Sequence, residues 1–103
     1  MDKKHHFYIV SVNPFNERNV KYYKNSNTNA NLEIFNNYMK NTCISKIKAN
    51  SPDAQIYYCD VYGSISLSDW VNKGYITGDG IHYTKAGSKY IYDTTMNCVA
   101  SHQ

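Results

Sequence analysis

The sequence predicts an α/β fold with parallel strands, and three observations carry that expectation. Two short apolar runs, His6 to Val12 and Ile56 to Tyr62, are rich in β-branched and aromatic residues. They are nearly continuous rather than alternating, the pattern of strands covered on both faces. An amphipathic helical stretch lies between them, as the crossover of a parallel pair requires. A second helical stretch closes the chain. Strand, helix, strand in this order is a βαβ unit, right-handed in nearly all cases.

The first strand is built on Phe7, Tyr8, Ile9, Val10 and Val12 and stops at Pro14, because proline cannot donate to a ladder. Phe15 to Asn31 is polar, with Asn25-Ser26-Asn27-Thr28-Asn29 at its centre. It reads as a long surface loop, a length that is uncommon in compact domains and often functional. From Asn31 to Lys48, the residues Leu32, Phe35, Met39, Cys43 and Ile47 recur at helical spacing and define an inward face. Asn29 or Asn31 suits the cap of this helix, and Glu33 the positive end of its dipole. Ser51-Pro52-Asp53 breaks the chain before the second strand, built on Ile56, Tyr57, Tyr58, Cys59 and Val61. Ser66 to Lys73 is a short helix or turn around Trp70, and Gly74 to Gly80 is loop. The last helix runs from Lys85 to Val99 with Thr84 as its cap and Tyr90, Ile91, Thr94, Thr95, Cys98 and Val99 inward. Two good strands and two helices of any length make an incomplete sheet, with at least one strand edge exposed.

The 103 residues form a single domain, 1–103, with no internal repeat and no linker. A hydrophobic fraction of 42% against a charged fraction of 18% is globular rather than disordered composition. The 11 tyrosines suit half-buried sites or a surface that another chain covers. A net charge of +3 without a concentrated basic stripe argues against nucleic acid as a partner. No stretch approaches the ~20 apolar residues of a membrane span. No apolar segment follows the charged N-terminus, so no signal peptide is visible. The three cysteines, Cys43, Cys59 and Cys98, form no CxxC pair. Their odd number argues against a closed disulfide set and suits a reducing compartment, with one disulfide plus one free thiol left open. Cys59 reads as a small buried apolar residue.

The chemistry-bearing stretch is Gly78-Asp79-Gly80-Ile81-His82-Tyr83-Thr84-Lys85-Ala86-Gly87. A carboxylate and an imidazole three residues apart can meet in a tight turn before a helix. The carboxylate then accepts from Nδ1–H, which fixes the tautomer and leaves Nε2 free to take a proton from a nucleophile. The flanking Gly78 and Gly80 permit the turn. The competing reading of the bare pair is a surface Asp near a helix start and a solvated His.

In its wider setting the stretch resembles the last conserved block of SGNH (GDSL-type) serine hydrolases: Asp-Gly-Ile-His, an aromatic, Thr, then Gly87 in the second turn of a terminal helix. The earlier pieces are similar in order: "FYIVSVNPFNE" to the strand after the family's third block, "NLEIFNNYMK" to the following helix, and "IYYCDVYGSI" to the strand that ends in an Asp. The likeness runs from about Phe7 to Val99. It implies a three-layer α/β/α, flavodoxin-like parent fold, of which these residues are the C-terminal portion. It implies an ester hydrolase working through an acyl-serine, with His82 as general base and Asp79 as its orienting partner. The family's substrates are esters, acylated carbohydrates and lipids among them, and no cofactor is implied.

The sequence departs from the family where the nucleophile should be. It contains no Gly-Asp-Ser, and Ser68-Asp69 reverses the order and precedes Trp70. Asn13 follows a strand, as the family's oxyanion Asn does. However, Ser11 and Pro14 replace the expected Gly and Asp, so Asn13 reads as a later strand end and Ser11 as a strand residue. The chain alone is therefore expected to be inactive, and to associate with itself or with a missing N-terminal half. Gly-Asp-Ser and Gly-x-Asn-Asp blocks in the upstream coding region would make it half of an enzyme. The alternative is a stand-alone, non-catalytic α/β module that binds a partner through its exposed sheet edge. Among other residues, His5, His6, Asp79 and His82 are weak metal candidates, adjacent terminal histidines being commonly solvated. Asp60 reads as a loop-capping carboxylate, and Trp70 and Tyr75 as either pocket wall or core.

Overall fold

A computed structural model describes residues 5–17 and 28–103. Residues 18–27 of the expected polar loop lie outside the described residues, and its expected end, Asn29 to Asn31, is the first turn of a helix. The elements are β1 (His6–Val10), α1 (Asn29–Tyr38), a π-helical turn (Met39–Cys43), α2 (Ile44–Asn50), β2 (Gln55–Cys59), a 3₁₀ turn (Tyr62–Ser64), α3 (Leu67–Asn72) and α4 (Lys85–Ser101). β1 and β2 pair in parallel, with His6 opposite Gln55 and Val10 opposite Cys59. The α/β character and the parallel pair are as expected. Among the described residues the sheet has these two strands.

Both strands are shorter than the apolar runs that announced them, and one hydroxyl explains why. Ser11 still donates its N–H to Cys59 O at 3.0 Å. Its buried Oγ then accepts from Val61 N at 3.0 Å and Tyr62 N at 2.9 Å. Side chain replaces backbone as the partner, and the ladder ends there.

Alternation gives the ribbon two faces. Ile9, Ile56 and Tyr58 lie on one, where Ile44, Ala54 and Ile56 form a buried cluster with Ile9, Ile47 and Tyr58 against it. Tyr8, Tyr57 and Cys59 lie on the other, against α4. Tyr8 OH donates to Val99 O at 3.4 Å, and His102 stacks on Tyr57 with ring centroids 4.1 Å apart.

The helix between the strands starts at Asn29, capped by Thr28, whose hydroxyl accepts from Asn31 N at 3.1 Å. Neither Asn expected as the cap serves. Nor does Phe35 face inward: it is 49% exposed, whereas Asn36 is 7% exposed. The extra residue of the π turn re-phases the helix, so Ile44 and Ile47 can meet the sheet while Asn36 occupies the inward face of α1. For α4 the expectation holds residue by residue. Thr84 caps it through a bond from Gly87 N at 3.0 Å, and Tyr90, Ile91, Thr94, Thr95, Cys98 and Val99 are half-buried.

The reading of the cysteines is corrected. Cys59 and Cys98 form a disulfide with Cα atoms 5.8 Å apart, joining the end of β2 to α4. Cys59 is fully buried, but as half of a cross-link, and Cys43 is the free thiol. An odd count therefore reflects one bridge plus one thiol rather than no bridge.

Candidate active site

The Asp-His segment is a hairpin laid between α3 and α4. Ile76 and Tyr83 form an antiparallel bridge, Thr77 N donates to His82 O at 2.8 Å, and Thr84 N donates to Tyr75 O at 3.0 Å. Gly80 N closes the tip on Thr77 O at 3.0 Å. Of the two glycines beside Asp79, Gly80 carries the turn, at φ 81°, a left-handed value that only glycine adopts readily. Gly78 takes no such conformation. Where the hairpin feeds α4, a Cβ on Gly87 would come within 2.1 Å of Tyr75 O. This glycine, expected in the second helical turn, lies in the first turn of α4 and is a close-approach residue.

Asp79 and His82 meet at the tip. His82 Nδ1 lies 2.5 Å from Asp79 Oδ2. The other carboxylate oxygen, Oδ1, accepts from the Thr77 hydroxyl at 2.6 Å, Ile81 N at 2.8 Å and His82 N at 3.0 Å. The Thr77 hydroxyl, the His82 ring and these backbone N–H groups hold the Asp79 carboxyl well below the usual carboxylate range. An ionised carboxylate only accepts, so Nδ1 carries the ring proton and Nε2 is the free basic nitrogen. Both side chains are open to solvent, His82 77% and Asp79 50% exposed. Nε2 bonds to no described residue.

Two contacts dock this tip on the loop after β1. Asn16 N donates to Gly80 O at 2.9 Å, and Tyr83 OH donates to Pro14 O at 2.9 Å. Burial pushes the Tyr83 phenol up to about 12, so it stays a donor throughout the neutral range. The loop is in turn fastened to α1 by two buried asparagines. Asn36 bonds both backbone groups of Val12, each at 2.9 Å. Asn29 does the same for Phe15, accepting at 3.1 Å and donating at 2.8 Å. Each carboxamide imitates a neighbouring strand at a point where the ladder has stopped. Beneath the hairpin lies an aromatic cluster. Trp70 is fully buried and donates Nε1–H to Tyr62 O at 3.1 Å. Tyr75 and Tyr90 stack with centroids 4.9 Å apart, and both meet the edge or face of Trp70.

The remaining sequence candidates fall away from this tip. Trp70 is core, and Tyr75 packs on it. Asp60 accepts from Gly63 N at 2.9 Å as a loop cap. Asn13 follows β1 and accepts from the Ser11 hydroxyl at 3.0 Å. Ser11 itself is buried and engaged by Val61 and Tyr62. His6 lies against Tyr8 and Tyr57, and no three His, Cys, Asp or Glu side chains gather among the described residues. No helix among the described residues is long and apolar enough to cross a membrane.

Sequence reasoning missed Thr77, Tyr83, Asn29 and Asn36. Two signals were present. A hydroxyl stands two residues before the Asp, and two Asn stand seven residues apart on one helix face. Comparison with protein-family models, with curated proteins and with solved structures found no match.

Proposed function

We propose that this chain is the C-terminal, base-bearing part of an SGNH-type ester hydrolase, with His82 as general base and Asp79 as its orienting partner. The supporting observation is the 2.5 Å pairing of His82 Nδ1 with Asp79 Oδ2 on an exposed side chain, with Nε2 engaged by no described residue. In the proposed reaction a serine from outside this chain loses its proton to Nε2 as its oxygen attacks an ester carbonyl. The alcohol then leaves with that proton, and water repeats the step on the acyl-serine. The three-layer, flavodoxin-like parent fold belongs to this reading. It is compatible with helices on opposite faces of the parallel pair. No cofactor is required, and acylated carbohydrates and lipids are the substrate classes the resemblance suggests.

The test is an assay with a short-chain aryl ester. The 103-residue chain should show negligible turnover, because its sequence contains no Gly-Asp-Ser block. A polypeptide that includes the segment encoded upstream should turn over, and His82→Ala should lower its kcat by at least ~10³-fold. An upstream region that lacks any Gly-Asp-Ser block, or a His82→Ala variant as active as its parent, would overturn the proposal. One observation favours a second reading, a non-catalytic module. No described strand pairs with the outer edge of β1, and Phe7, Val10 and Val12 are exposed beside it.

A further inference from the structure

We infer that Thr77 is the positioning residue of the Asp-His pair: its hydroxyl holds the Asp79 carboxylate in one orientation, so that Oδ2 alone is offered to His82 Nδ1. Its meaning for catalysis rests on the hydrolase reading above; the geometry does not. The two oxygens of Asp79 are treated differently by the hairpin. Oδ1 receives three donors and Oδ2 receives the imidazole. Two of the three donors, Ile81 N and His82 N, are backbone groups fixed by the turn and follow Asp79 in sequence. Thr77 approaches from the preceding strand of the hairpin, and its bond is the shortest of the three at 2.6 Å. Without it, both remaining donors lie on the side of the carboxylate toward residues 81 and 82. The group can then rotate away from the ring. An imidazole whose carboxylate has turned away loses the acceptor that fixes its tautomer, and the tautomer decides which nitrogen serves as base.

The backbone of Thr77 is independent of this role. Its N–H donates to His82 O, and its C=O accepts from Gly80 N. Replacing the side chain leaves both bonds in place. Valine has the shape of threonine without the donor, and serine has the donor without the methyl. The pair of variants therefore separates the hydroxyl from the packing.

The experiment uses the full chain with nitrogen-labelled histidine and carbon-labelled aspartate. At alkaline pH, where imidazoles are neutral, the ring nitrogen shifts of His82 report its tautomer. In the parent chain the Nδ1–H form should dominate. Thr77→Val should raise the minor Nε2–H form by roughly fivefold, the worth of about one hydrogen bond, and move the Asp79 carboxyl titration upward. Thr77→Ser should restore both readings. A Thr77→Val chain that matches the parent in tautomer and carboxyl titration overturns the inference. If that variant does not fold, the parent decides. A Thr77 hydroxyl proton protected from exchange supports the bond, and one exchanging like a free threonine hydroxyl overturns it. These readings require no ester to be cleaved. An inactive extended polypeptide with an intact tautomer effect removes the hydrolase reading and leaves Thr77 in place, and the converse result removes Thr77 alone.

Discussion

At the scale of single residues, the fold depends on polar side chains that stand in for backbone. Ser11 is the clearest. It lies in an apolar run, and nothing in its sequence neighbourhood separates a strand serine from a junction. In three dimensions it ends both strands, because its Oγ takes the N–H groups of Val61 and Tyr62, both residues being buried. Ser11→Ala would leave the Tyr62 N–H without its acceptor, at a cost of about 1–3 kcal/mol, while the Val61 N–H keeps Cys59 O at 3.2 Å. The expected result is a loss of ~2 kcal/mol in urea unfolding, with the slope of the transition unchanged. A loss below ~0.5 kcal/mol would show that water or a neighbouring carbonyl replaces the hydroxyl. The Asp79–His82 pairing was legible in the sequence, because a three-residue spacing inside a tight turn allows it. Thr77 and the two clamping asparagines were not, because their partners are backbone atoms, and a backbone partner leaves no mark in composition or periodicity.

At the scale of elements, the reading succeeded where one period governs and failed where two meet. Helix α4 matches its expected face throughout, since its packing follows an unbroken helical repeat. The helix between the strands does not, since its π turn shifts the phase and puts Asn36 where Phe35 was expected. The disulfide belongs to this scale as well. Cysteine count alone cannot pair residues 39 apart in sequence; the crossing of α4 over β2 does. Closing a loop of 39 residues stabilises the native state by about 4 kcal/mol if the effect is mainly unfolded-chain entropy. Thermal melts with and without reductant should therefore differ by many degrees. The hairpin has its own anchors: Thr84 Oγ1 donates to Gly74 O at 2.7 Å, and Tyr75 stacks on Tyr90. Below the lowered melting point, reduction should therefore leave the His82 ring resonances unmoved. Loss of the Asp79–His82 signature on reduction, with the helices still folded, would show that the bridge holds the site and not merely the fold.

At the scale of the whole molecule, the two outer edges of the sheet differ, and the difference decides how the chain meets others. Along β2, Ile56 is 3% exposed, and Lys40, Lys48 and His102 line the groove beside it, of about 300 Å³. Covered backbone and flanking cations are the usual protection of a strand edge. Along β1 no described residue gives that protection before Val12. Ser11 directs its N–H to β2, so alternation turns the N–H and C=O groups of Tyr8 and Val10 to the outside. Asn36 occupies the next outward position, Val12, and stops there. Phe7, Val10 and Val12, 42%, 37% and 43% exposed, lie along this edge. An incomplete sheet with an exposed edge was expected from the count of strands and helices. Which edge is open could not be read, because the guarding lysines sit on a helix and reach the strand only through the fold. The chain should therefore associate through β1, with itself or with a further segment that supplies the next strand. Light scattering over a concentration series should show mass rising above that of one chain. Val10→Lys, which places a charge on the open edge, should return it toward a monomer without lowering the melting temperature by more than a few degrees. Lys48→Ala, on the guarded edge, should leave the association as it is. A chain that stays monomeric at high concentration, melts cooperatively and binds no apolar dye would show that two strands and their helices close a sufficient core. The self-contained module would then be favoured over the half-enzyme, because a core that closes on its own needs no missing half to complete it.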